Sequence, residues 1–322
     1  MASPSKKTEP PVKIEIIDQS HEIIRETGIK LIELAGRTCY KSEDKITKTS
    51  AGKFIKMLAE KGHLSVLEHL NVRIQYPNVD QYLPVKVRRS PFLNVSDRCV
   101  ISGNVRAFKE VFEANRKDRI FALTMTEDIL RAEYPEIFGK RPIASLDPLP
   151  MAKLIAEQEL HPEDRMNHTY RTVKFITNRG ITHELVRHRP VSYSQESTRY
   201  VNYGGKRIKF VAPVWAETAT CDLNADVAEN DQERFWLLAC GMAAIQYQGL
   251  LDAGWRPEQA REVLPNALKT EIIVTCNLTE WAHIFKMRCS SKAHPQMQAL
   301  MCPVMADFIE EFPDLEKELT PL

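Results

Sequence analysis

The segment ALKTEIIVTCN, residues 267–277, constrains the fold most, because a run of β-branched residues leads directly into a helical pattern. β-Branched side chains such as those of Ile272 and Val274 favour a strand. The next residues, TEWAHIFKMR, offer Thr279 as an N-cap and end on basic side chains, as helices often do. The segment therefore predicts a strand followed at once by a helix.

The other patterns mix strands and helices without a regular alternation of the two. Alternating apolar and polar residues predict strands at 12–18, 71–76 and 169–180. Helices are predicted at 20–34, 50–62, 105–116, 120–136, 181–189, 227–253 and 294–312. Because no steady βαβ order appears, we expect an α+β fold rather than a doubly wound parallel sheet.

Two regions differ from the rest. The first residues, MASPSKKTEPP (1–11), are rich in Pro, Ser and Lys and predict a disordered N-terminal tail. From about 77 to 168, two helical stretches lie among prolines and carry no chemical motif. We interpret 12–322 as a catalytic domain interrupted by an inserted helical region at about 77–168.

Composition excludes several classes of protein. Forty-four Lys plus Arg balance forty-three Asp plus Glu, so the total charge gives no attraction to nucleic acid. No apolar run is long enough for a membrane span, and the N-terminus lacks the apolar core of a secretory signal. Seven scattered cysteines without a C-x-x-C pair predict reduced thiols, a cytoplasmic location and no zinc or other metal site.

The stretch RHRPVSYSQESTRY, residues 187–200, concentrates cationic and hydrogen-bonding side chains. Its cations are Arg187, His188, Arg189 and Arg199, and between them lie Ser192, Ser194, Gln195, Ser197 and Thr198. Arginine offers a planar fork of donors that matches phosphate or carboxylate. The stretch therefore predicts a site for an anion with many acceptor oxygens. The alternative is a solvated basic helix end, with Glu184 pairing His188 across one turn.

Three blocks in fixed order resemble the flavin-dependent thymidylate synthases, the ThyX family. The first is GHLSVLEH (62–69), the second is RHRPVSYSQES followed by TRY, and the third is REVLPNALKTEIIVTCNLTEWAHIFKMR (261–288). The resemblance covers about 12–76 and 169–306. It implies an α+β fold with a mixed or antiparallel sheet and packed helices, and a homotetramer whose active sites lie between subunits.

The resemblance also implies a set of cofactor contacts. FAD would lie against His63, Ser65, Glu68, Arg187, His188, Arg189, Gln195, Asn277 and His283. Judged alone, His63 and His69 are more often capping or core histidines, and Asn277 is more often a helix cap.

A second implied set binds dUMP. It contains Glu184, Arg187, Gln195, Glu196, Ser197, Thr198, Arg199, Arg261 and Arg288. Arg288 is the implied catalytic residue; its alternative role is a cation that interacts with the helix dipole. Many family members have Gln, Asn and Glu at the positions of Glu184, Ser194 and Gln195, so the charge around dUMP differs here.

The implied reaction is the reductive methylation of dUMP to dTMP. Methylenetetrahydrofolate would donate the carbon and NADPH the electrons, both through FAD. Carbon 5 of uracil is a poor nucleophile, and no cysteine here stands in the Pro-Cys-Gln context of ordinary thymidylate synthases. An arginine beside the ring could activate it electrostatically instead. Two alternatives remain: a catalytically silent paralogue that binds FAD or nucleotide, and a nucleic-acid-binding module.

Overall fold

The computed structural model describes residues 14–77, 90–117, 121–139, 152–216 and 230–320. The predicted tail at 1–11 lies outside these residues. Within them the chain forms two compact units. The smaller unit takes its residues from Met1–Ser20, Ile176–His183 and Ser197–Thr270, and the larger unit from His21–Phe175, Glu184–Glu196 and Glu271–Leu322.

Strands and helices follow one another irregularly along the chain. The strands are β1 (Ile14–Ile17), β2 (Ser20–Ile24), β3 (Asn71–Gln75), β4 (Leu93–Val95), β5 (Val100–Asn104), β6 (Lys153–Leu154), β7 (Tyr170–Asn178), β8 (Ser192–Gln195), β9 (Ile208–Val211) and β10 (Lys269–Asn277). The helices are α1 (Gly28–Tyr40), α2 (Ser50–Glu60), α3 (Val105–Ala114), α4 (Phe121–Glu133), α5 (Pro135–Phe138), α6 (Arg165–His168), α7 (Arg179–Leu185), α8 (Asp231–Asp252), α9 (Pro257–Ala260), α10 (Leu278–Arg288), α11 (Pro295–Glu311) and α12 (Glu316–Leu319).

The strands form sheets of both kinds, which confirms the predicted α+β class. One four-stranded sheet has the order β2-β7-β10-β8, and a second has the order β4-β5-β3-β6. β8 is antiparallel to β10, with Gln195 opposite Ile272. In the smaller unit, β1 and β9 form a parallel pair in which Ile14 lies opposite Ile208.

The prediction of a helix over 20–34 is correct from residue 28 onward and wrong before it. Residues Ser20–Ile24 form β2, and α1 begins only at Gly28. Thr27 is extended, and Gly28 has a φ of 60°, a left-handed conformation that glycine adopts without strain. The short alternation of exposed and buried residues in β2 fits a sheet, and Thr27–Gly28 then turns the chain into the helix.

The region predicted as an inserted helical region contains strands as well as helices. β4 and β5 pair with each other, and β5 pairs antiparallel with β3, so that Ile74 lies opposite Ile101. The sequence patterns did not predict these strands or β6. Ile101 and Phe108 are buried in one apolar cluster with Ile55 and Ile74. The extent of the insertion, 77–168, stays a prediction.

Aromatic side chains join α10 to α11 in the larger unit. Trp281 is fully buried, stacks on Phe285 and lies 5.2 Å from Phe308 between ring centroids. Its Nε1 donates a hydrogen bond of 3.1 Å to the carbonyl oxygen of Arg171 on β7. Trp281 therefore fixes α10 on the sheet and with it the position of the helix C-terminus.

No helix in the described ranges combines the length and the apolar character that crossing a bilayer requires.

Candidate active site

Helix α10 delivers Arg288 at its last turn, and its start is fixed by Asn277. The Asn277 side chain accepts a hydrogen bond of 2.9 Å from the backbone N–H of Glu280 and donates one of 3.1 Å to the carbonyl of Asn167. Asn277 is therefore the N-cap, and the prediction of Thr279 in that role is wrong. Thr279 lies one residue inside the helix and donates to the Asn167 side chain at 2.8 Å.

The Arg288 guanidinium is held by Glu184, in the last turn of α7, and by His188, three residues beyond the end of that helix. Its Nε donates to Nε2 of His188 at 2.9 Å. One terminal nitrogen donates to the Glu184 carboxylate at 2.8 Å and the other to the Glu184 carbonyl at 2.7 Å. The structure thus brings together three residues that the sequence implicates, although a hundred positions separate them.

Glu184 does not form the pair with His188 that the alternative interpretation expects. Its carboxylate binds Arg288 instead, in an ion pair whose arginine side chain is only 16% exposed. Charge-assisted bonds of this kind are stronger and more directional than neutral ones. The Glu184 carboxylate therefore fixes where the Arg288 charge lies.

His188 is a neutral acceptor beside this ion pair. Burial, helped by the nearby Arg288 and His283, lowers the pKa of His188 to about 4. Because its Nε2 accepts from Arg288, the proton of the neutral ring belongs on Nδ1. The His283 ring lies edge-on to it, with 5.6 Å between centroids, and the His283 side chain is exposed.

Arg187 and Arg189 flank the buried His188 and are both exposed. Helix α7 ends at Leu185, four residues earlier than predicted. The residue before a proline disfavours helical geometry, and Pro190 follows Arg189 directly. The Tyr193 hydroxyl donates to the carbonyls of Leu185 at 2.7 Å and His188 at 3.3 Å. The turn therefore presents two guanidinium groups on either side of one buried imidazole.

Within residues 62–69, Leu64–His69 form a short 3-10 segment after α2. The Tyr40 hydroxyl and His63 Nδ1 are 2.7 Å apart, and the two rings stack. Glu68 pairs with Arg106 on α3 at 2.6 Å, yet burial still raises the pKa of the Glu68 carboxyl. Ser65 is exposed. Sequence reasoning missed Arg106, because no local pattern shows that α3 contacts this segment.

His69 is a core histidine. Its two ring nitrogens lie 2.8 Å from the Thr275 hydroxyl and 2.9 Å from the Ser194 hydroxyl. Thr172 continues this buried chain through a 2.8 Å hydrogen bond with Thr275. Burial lowers the pKa of His69 to about 3. His69 therefore joins β8 to β10 as a neutral ring.

Gln195 and Glu196 lie at the end of β8. Gln195 is half-buried and Glu196 is buried. The Glu196 N–H donates to the Glu271 carbonyl at 2.8 Å. The Glu271 carboxylate in turn binds Lys41 at 2.5 Å and Lys174 at 2.6 Å. These ion pairs place Gln195 and Glu196 on a rigid strand end.

The other implied dUMP residues belong to the smaller unit. Arg261 donates to the Thr198 hydroxyl at 3.2 Å, and its side chain is 37% exposed. The Ser197 hydroxyl accepts from the Arg199 N–H at 3.2 Å. The Arg199 guanidinium is exposed and lies 5.4 Å from the centroid of the Tyr200 ring. Two guanidinium groups and the Ser197 hydroxyl are thus available for an anion within this unit, whereas Thr198 is buried.

The chemistry of these donors suits a flavin nucleotide and gives no sign of a metal. Exposed guanidinium groups match phosphate oxygens, and exposed imidazole and hydroxyl groups can bind ribityl or ring atoms. Several implied contacts already have partners inside the protein: the Asn277 amide makes two hydrogen bonds, Glu68 pairs with Arg106, and His188 accepts from Arg288. The described ranges contain no cluster of His, Cys, Asp and Glu with the geometry of a metal site.

A cavity of about 370 Å³ in the larger unit is lined in part by the buried chain of His69, Thr172 and Thr275. Its lining includes Arg73, Tyr170 and Arg171, and none of the implied site residues. Glu157 pairs with both arginines, at 3.2 Å and 2.8 Å. Arg171 also pairs with Glu311 at 2.7 Å, so both guanidinium groups have partners inside the protein.

Comparisons with known sequences identify one family. A family model described as "Thymidylate synthase complementing protein" matches residues 22–97 and 153–314. A flavin-dependent thymidylate synthase of Geobacter sulfurreducens is 40% identical over 123 residues, 38% of this chain and 49% of that protein. One from Pyrococcus furiosus is 34% identical over 120 residues, 36% of this chain and 44% of that protein. The chain thus spans about half the length of the curated relatives it matches.

Solved structures give more distant similarities. A UMP/dUMP methylase, PolB from Streptomyces cacaoi bound with 5-Br UMP, has a TM-score of 0.42 and 15% identity, with 95% of each chain covered. Thymidylate Synthase X from Helicobacter pylori, with FAD and dUMP, has a TM-score of 0.38 and 15% identity, with 94% of this chain and 99% of that chain covered.

Proposed function

The chain belongs to the thymidylate synthase complementing protein family, and on that premise we propose that it is a flavin-dependent thymidylate synthase. The reaction would be the reductive methylation of dUMP to dTMP, with methylenetetrahydrofolate as carbon donor and NADPH as reductant. The observation that carries the proposal is the Arg288 guanidinium, which Glu184 and His188 hold in one orientation.

Arg288 would activate the uracil ring. An arginine has five N–H donors, and the contacts to Glu184 and His188 use three of them. Each terminal nitrogen therefore retains one N–H. Two such donors in one plane match a deprotonated N3 and a neighbouring carbonyl oxygen of uracil. Preorganised donors stabilise the developing charge without reorganisation during the reaction.

The state of the thiols supports a mechanism without a cysteine nucleophile. The thiolate is the reactive form of cysteine. Burial raises the pKa of Cys240 and of Cys289 to about 12 and also raises those of Cys39 and Cys276. These thiols therefore stay protonated at neutral pH. Among them is Cys289, the residue that follows Arg288.

FAD, when bound, would carry the one-carbon unit and the reducing electrons. The residues that would hold it are Arg187 and Arg189 through their exposed guanidinium groups, with His63, Ser65 and His283 as hydrogen-bonding contacts. His188 would contribute as the neutral ring that orients Arg288. Asn277, Glu68 and Gln195 complete the implied set, and each of them already has partners inside the protein.

The substrate phosphate would bind Ser197, Arg199 and Arg261 of the smaller unit. Arg261 keeps donors beyond its single bond to Thr198, and the Arg199 guanidinium is exposed. Glu196 and Thr198 are buried and would position this stretch rather than approach the phosphate closely. We further infer a homotetramer with shared active sites, and neither nucleic acid nor membrane as a partner.

One observation favours the alternative of a catalytically silent paralogue. The Glu184 carboxylate neutralises Arg288, and a neutralised guanidinium stabilises an anionic ring less well. A silent paralogue would still bind FAD or dUMP, because Arg187, Arg189 and Arg261 do not depend on Glu184.

The test is dTMP formation by the purified protein without oxygen, given dUMP, methylenetetrahydrofolate, NADPH and FAD, with each component omitted in turn. We expect dTMP only when all are present. Arg288→Ala should abolish it. Arg25→Ala, which removes an exposed arginine paired with Glu311, is the control and should leave the rate unchanged. A folded protein that binds FAD and dUMP and makes no dTMP would instead establish the silent paralogue.

A further inference from the structure

Glu68, one of the implied FAD contacts, is paired with a residue from a region that the family model does not match. The model matches residues 22–97 and 153–314 and leaves out 98–152. Helix α3 lies in that unmatched stretch and carries Arg106. Arg106 Nη1 lies 2.6 Å from Glu68 Oε1. The unmatched stretch therefore reaches the 3-10 segment Leu64–His69, which contains Glu68.

Backbone hydrogen bonds fix the start of α3 beside this 3-10 segment. Strand β5, which leads into α3, is antiparallel to β3, the strand that follows the segment. The Val105 N–H donates to the Leu70 carbonyl at 2.9 Å. Asn104 caps α3, since its side chain accepts from the Ala107 N–H at 2.8 Å. The position of Arg106, in the first turn of α3, is therefore set by the residues that adjoin the segment.

Apolar contacts hold the rest of α3 on the same segment. Phe108, Val111 and Phe112 of α3 are buried in one cluster with Val66 and Leu67. Protein interiors are close-packed, so elements that share a core keep their relative position. The helix that carries Arg106 is therefore rigidly joined to the segment that carries Glu68.

The Glu68 backbone and its carboxylate are fixed by different partners. The Glu68 carbonyl accepts from the Ser192 hydroxyl at 3.0 Å. Its carboxylate pairs with Arg106, whose Nε also donates to Glu110 one turn further along α3 at 2.9 Å. The pair uses Oε1 of Glu68, which leaves Oε2 for a ligand, and the Glu68 side chain is 18% exposed. One acceptor oxygen is therefore presented in a defined direction.

We propose that Arg106 is a positioning residue for the flavin cofactor, because it holds the Glu68 carboxylate so that Oε2 accepts a hydrogen bond from FAD. The inference rests on the proposed function, which supplies FAD as the ligand. A carboxylate accepts from hydroxyl and amino groups and repels phosphate. Glu68 therefore fits a hydroxyl-bearing or adenine part of FAD, whereas Arg187 and Arg189 fit its phosphates.

Arg106 also favours the charged form of Glu68. Burial raises the pKa of the Glu68 carboxyl; Arg106 opposes that shift, and Glu110 adds to it. Strands β5 and β8, which contact the same segment, carry no charged side chain, and on α1 Glu33 is paired with Arg37. Without Arg106 the pKa of Glu68 should rise further. The ionised acceptor would then be lost at a higher pH than in the wild type.

The first test is a fluorescence titration of FAD into the flavin-free protein between pH 5 and pH 9. Arg106→Ala should weaken binding about 10-fold at the acid end and approach the wild type as the pH rises and Glu68 ionises. Arg106→Lys keeps the charge and should stay within about 3-fold of the wild type. Arg98→Ala is the matched control, because it removes an arginine of the same stretch that pairs with Glu163, and it should leave FAD affinity unchanged at every pH.

The second test asks whether Arg106 acts through Glu68. Glu68→Gln keeps the shape of the side chain and cannot ionise. Adding Arg106→Ala to Glu68→Gln should change FAD affinity by less than about 2-fold, since the coupled partner is already gone. An equal loss in both backgrounds would overturn the proposal, because Arg106 would then act on FAD directly or through the fold. Circular dichroism identifies a variant that fails to fold, and Arg106→Gln then replaces Arg106→Ala.

The outcomes separate this inference from the proposed reaction. A wild-type protein that forms no dTMP but binds FAD with the expected dependence on Arg106 would support the inference and overturn the reaction. Tight FAD binding that Arg106→Ala leaves unchanged at every pH would overturn the inference alone. A wild-type protein that binds no FAD would overturn both.

Discussion

Arg288 in the larger unit and Arg261 in the smaller one are held very differently. Arg288 is 16% exposed and makes three hydrogen bonds of 2.9 Å or less. Arg261 is 37% exposed, makes one hydrogen bond of 3.2 Å to Thr198, and lies 3.6 Å from the Glu262 carboxylate. Both arginines belong to the implied dUMP set. One guanidinium is therefore fixed by several hydrogen bonds, and the other is held by a single long one.

The difference corresponds to two chemical tasks. A group that stabilises charge in a transition state must be oriented before the reaction begins. A group that binds a phosphate needs only to reach it, since a phosphate accepts hydrogen bonds from many directions. We infer that Arg288 supplies fixed geometry for a uracil ring and that Arg261 supplies adaptable charge for a phosphate.

The largest effect should come from replacing each arginine with lysine. Lysine keeps the charge but cannot donate to Glu184, His188 and a substrate at once, because it lacks the planar fork. Arg288→Lys should therefore lower kcat about 100-fold, whereas Arg261→Lys should chiefly raise KM for dUMP, by roughly 5-fold. Steady-state kinetics measures both. Equal losses of kcat in the two variants would contradict the comparison.

A smaller effect concerns stability in acid. His69 stays neutral in the folded larger unit down to about pH 3, whereas in the unfolded chain it titrates near 6.5. Above pH 6.5 its contribution is fully present. As pH falls below that value, His69 becomes protonated in the unfolded chain but stays neutral in the folded one. The free energy of unfolding therefore decreases by up to about 1.4 kcal/mol per pH unit.

Denaturant titrations between pH 6.5 and pH 4.5 measure this decrease. His69→Gln keeps hydrogen-bonding groups but cannot titrate, so its free energy of unfolding should depend less on pH. His161→Gln changes an exposed histidine and is the matched control, expected to follow the wild type. A slope that is the same in all three proteins would show that His69 is not the group responsible.

The smallest effect should follow Glu184→Gln. Glutamine keeps the carbonyl bond to Arg288 and a side-chain acceptor, and loses only the negative charge. We expect kcat to change by no more than about 3-fold, while Glu184→Ala, which removes the acceptor, should lose roughly 10-fold. If Glu184→Gln instead raises kcat strongly, the carboxylate inhibits Arg288 rather than positioning it.

Local patterns predicted most elements but not all. The strand at β10 and the helix at α10 were correct, while Asn277 rather than Thr279 caps that helix. Any of Asn, Ser, Thr and Asp can cap, so the choice depends on which residue ends the strand. The helix predicted over 20–34 failed before residue 28 because β2 gains its hydrogen bonds from a sheet neighbour distant in sequence, which local periodicity does not reveal.

The candidate site divides in the same way. The residues of the candidate site were predicted from three sequence blocks that occur in the order typical of the family. The role of Glu184 does not, since its bond to Arg288 joins positions 104 apart in the chain. The pair between Glu68 and Arg106 likewise depends on α3, which the sequence patterns did not connect to residues 62–69.

The sequence by itself determined the α+β class, the family, and the set of cationic residues proposed to bind an anionic ligand, because these follow from side-chain chemistry and local spacing. Only the tertiary structure decided which of those cations is fixed and which is adaptable, that His69 is a neutral core ring, and that Arg106 contacts Glu68 from outside the three blocks. The physical reason is the same in each case. Burial, orientation and pairing are set by neighbours that lie close in space and far apart in the chain.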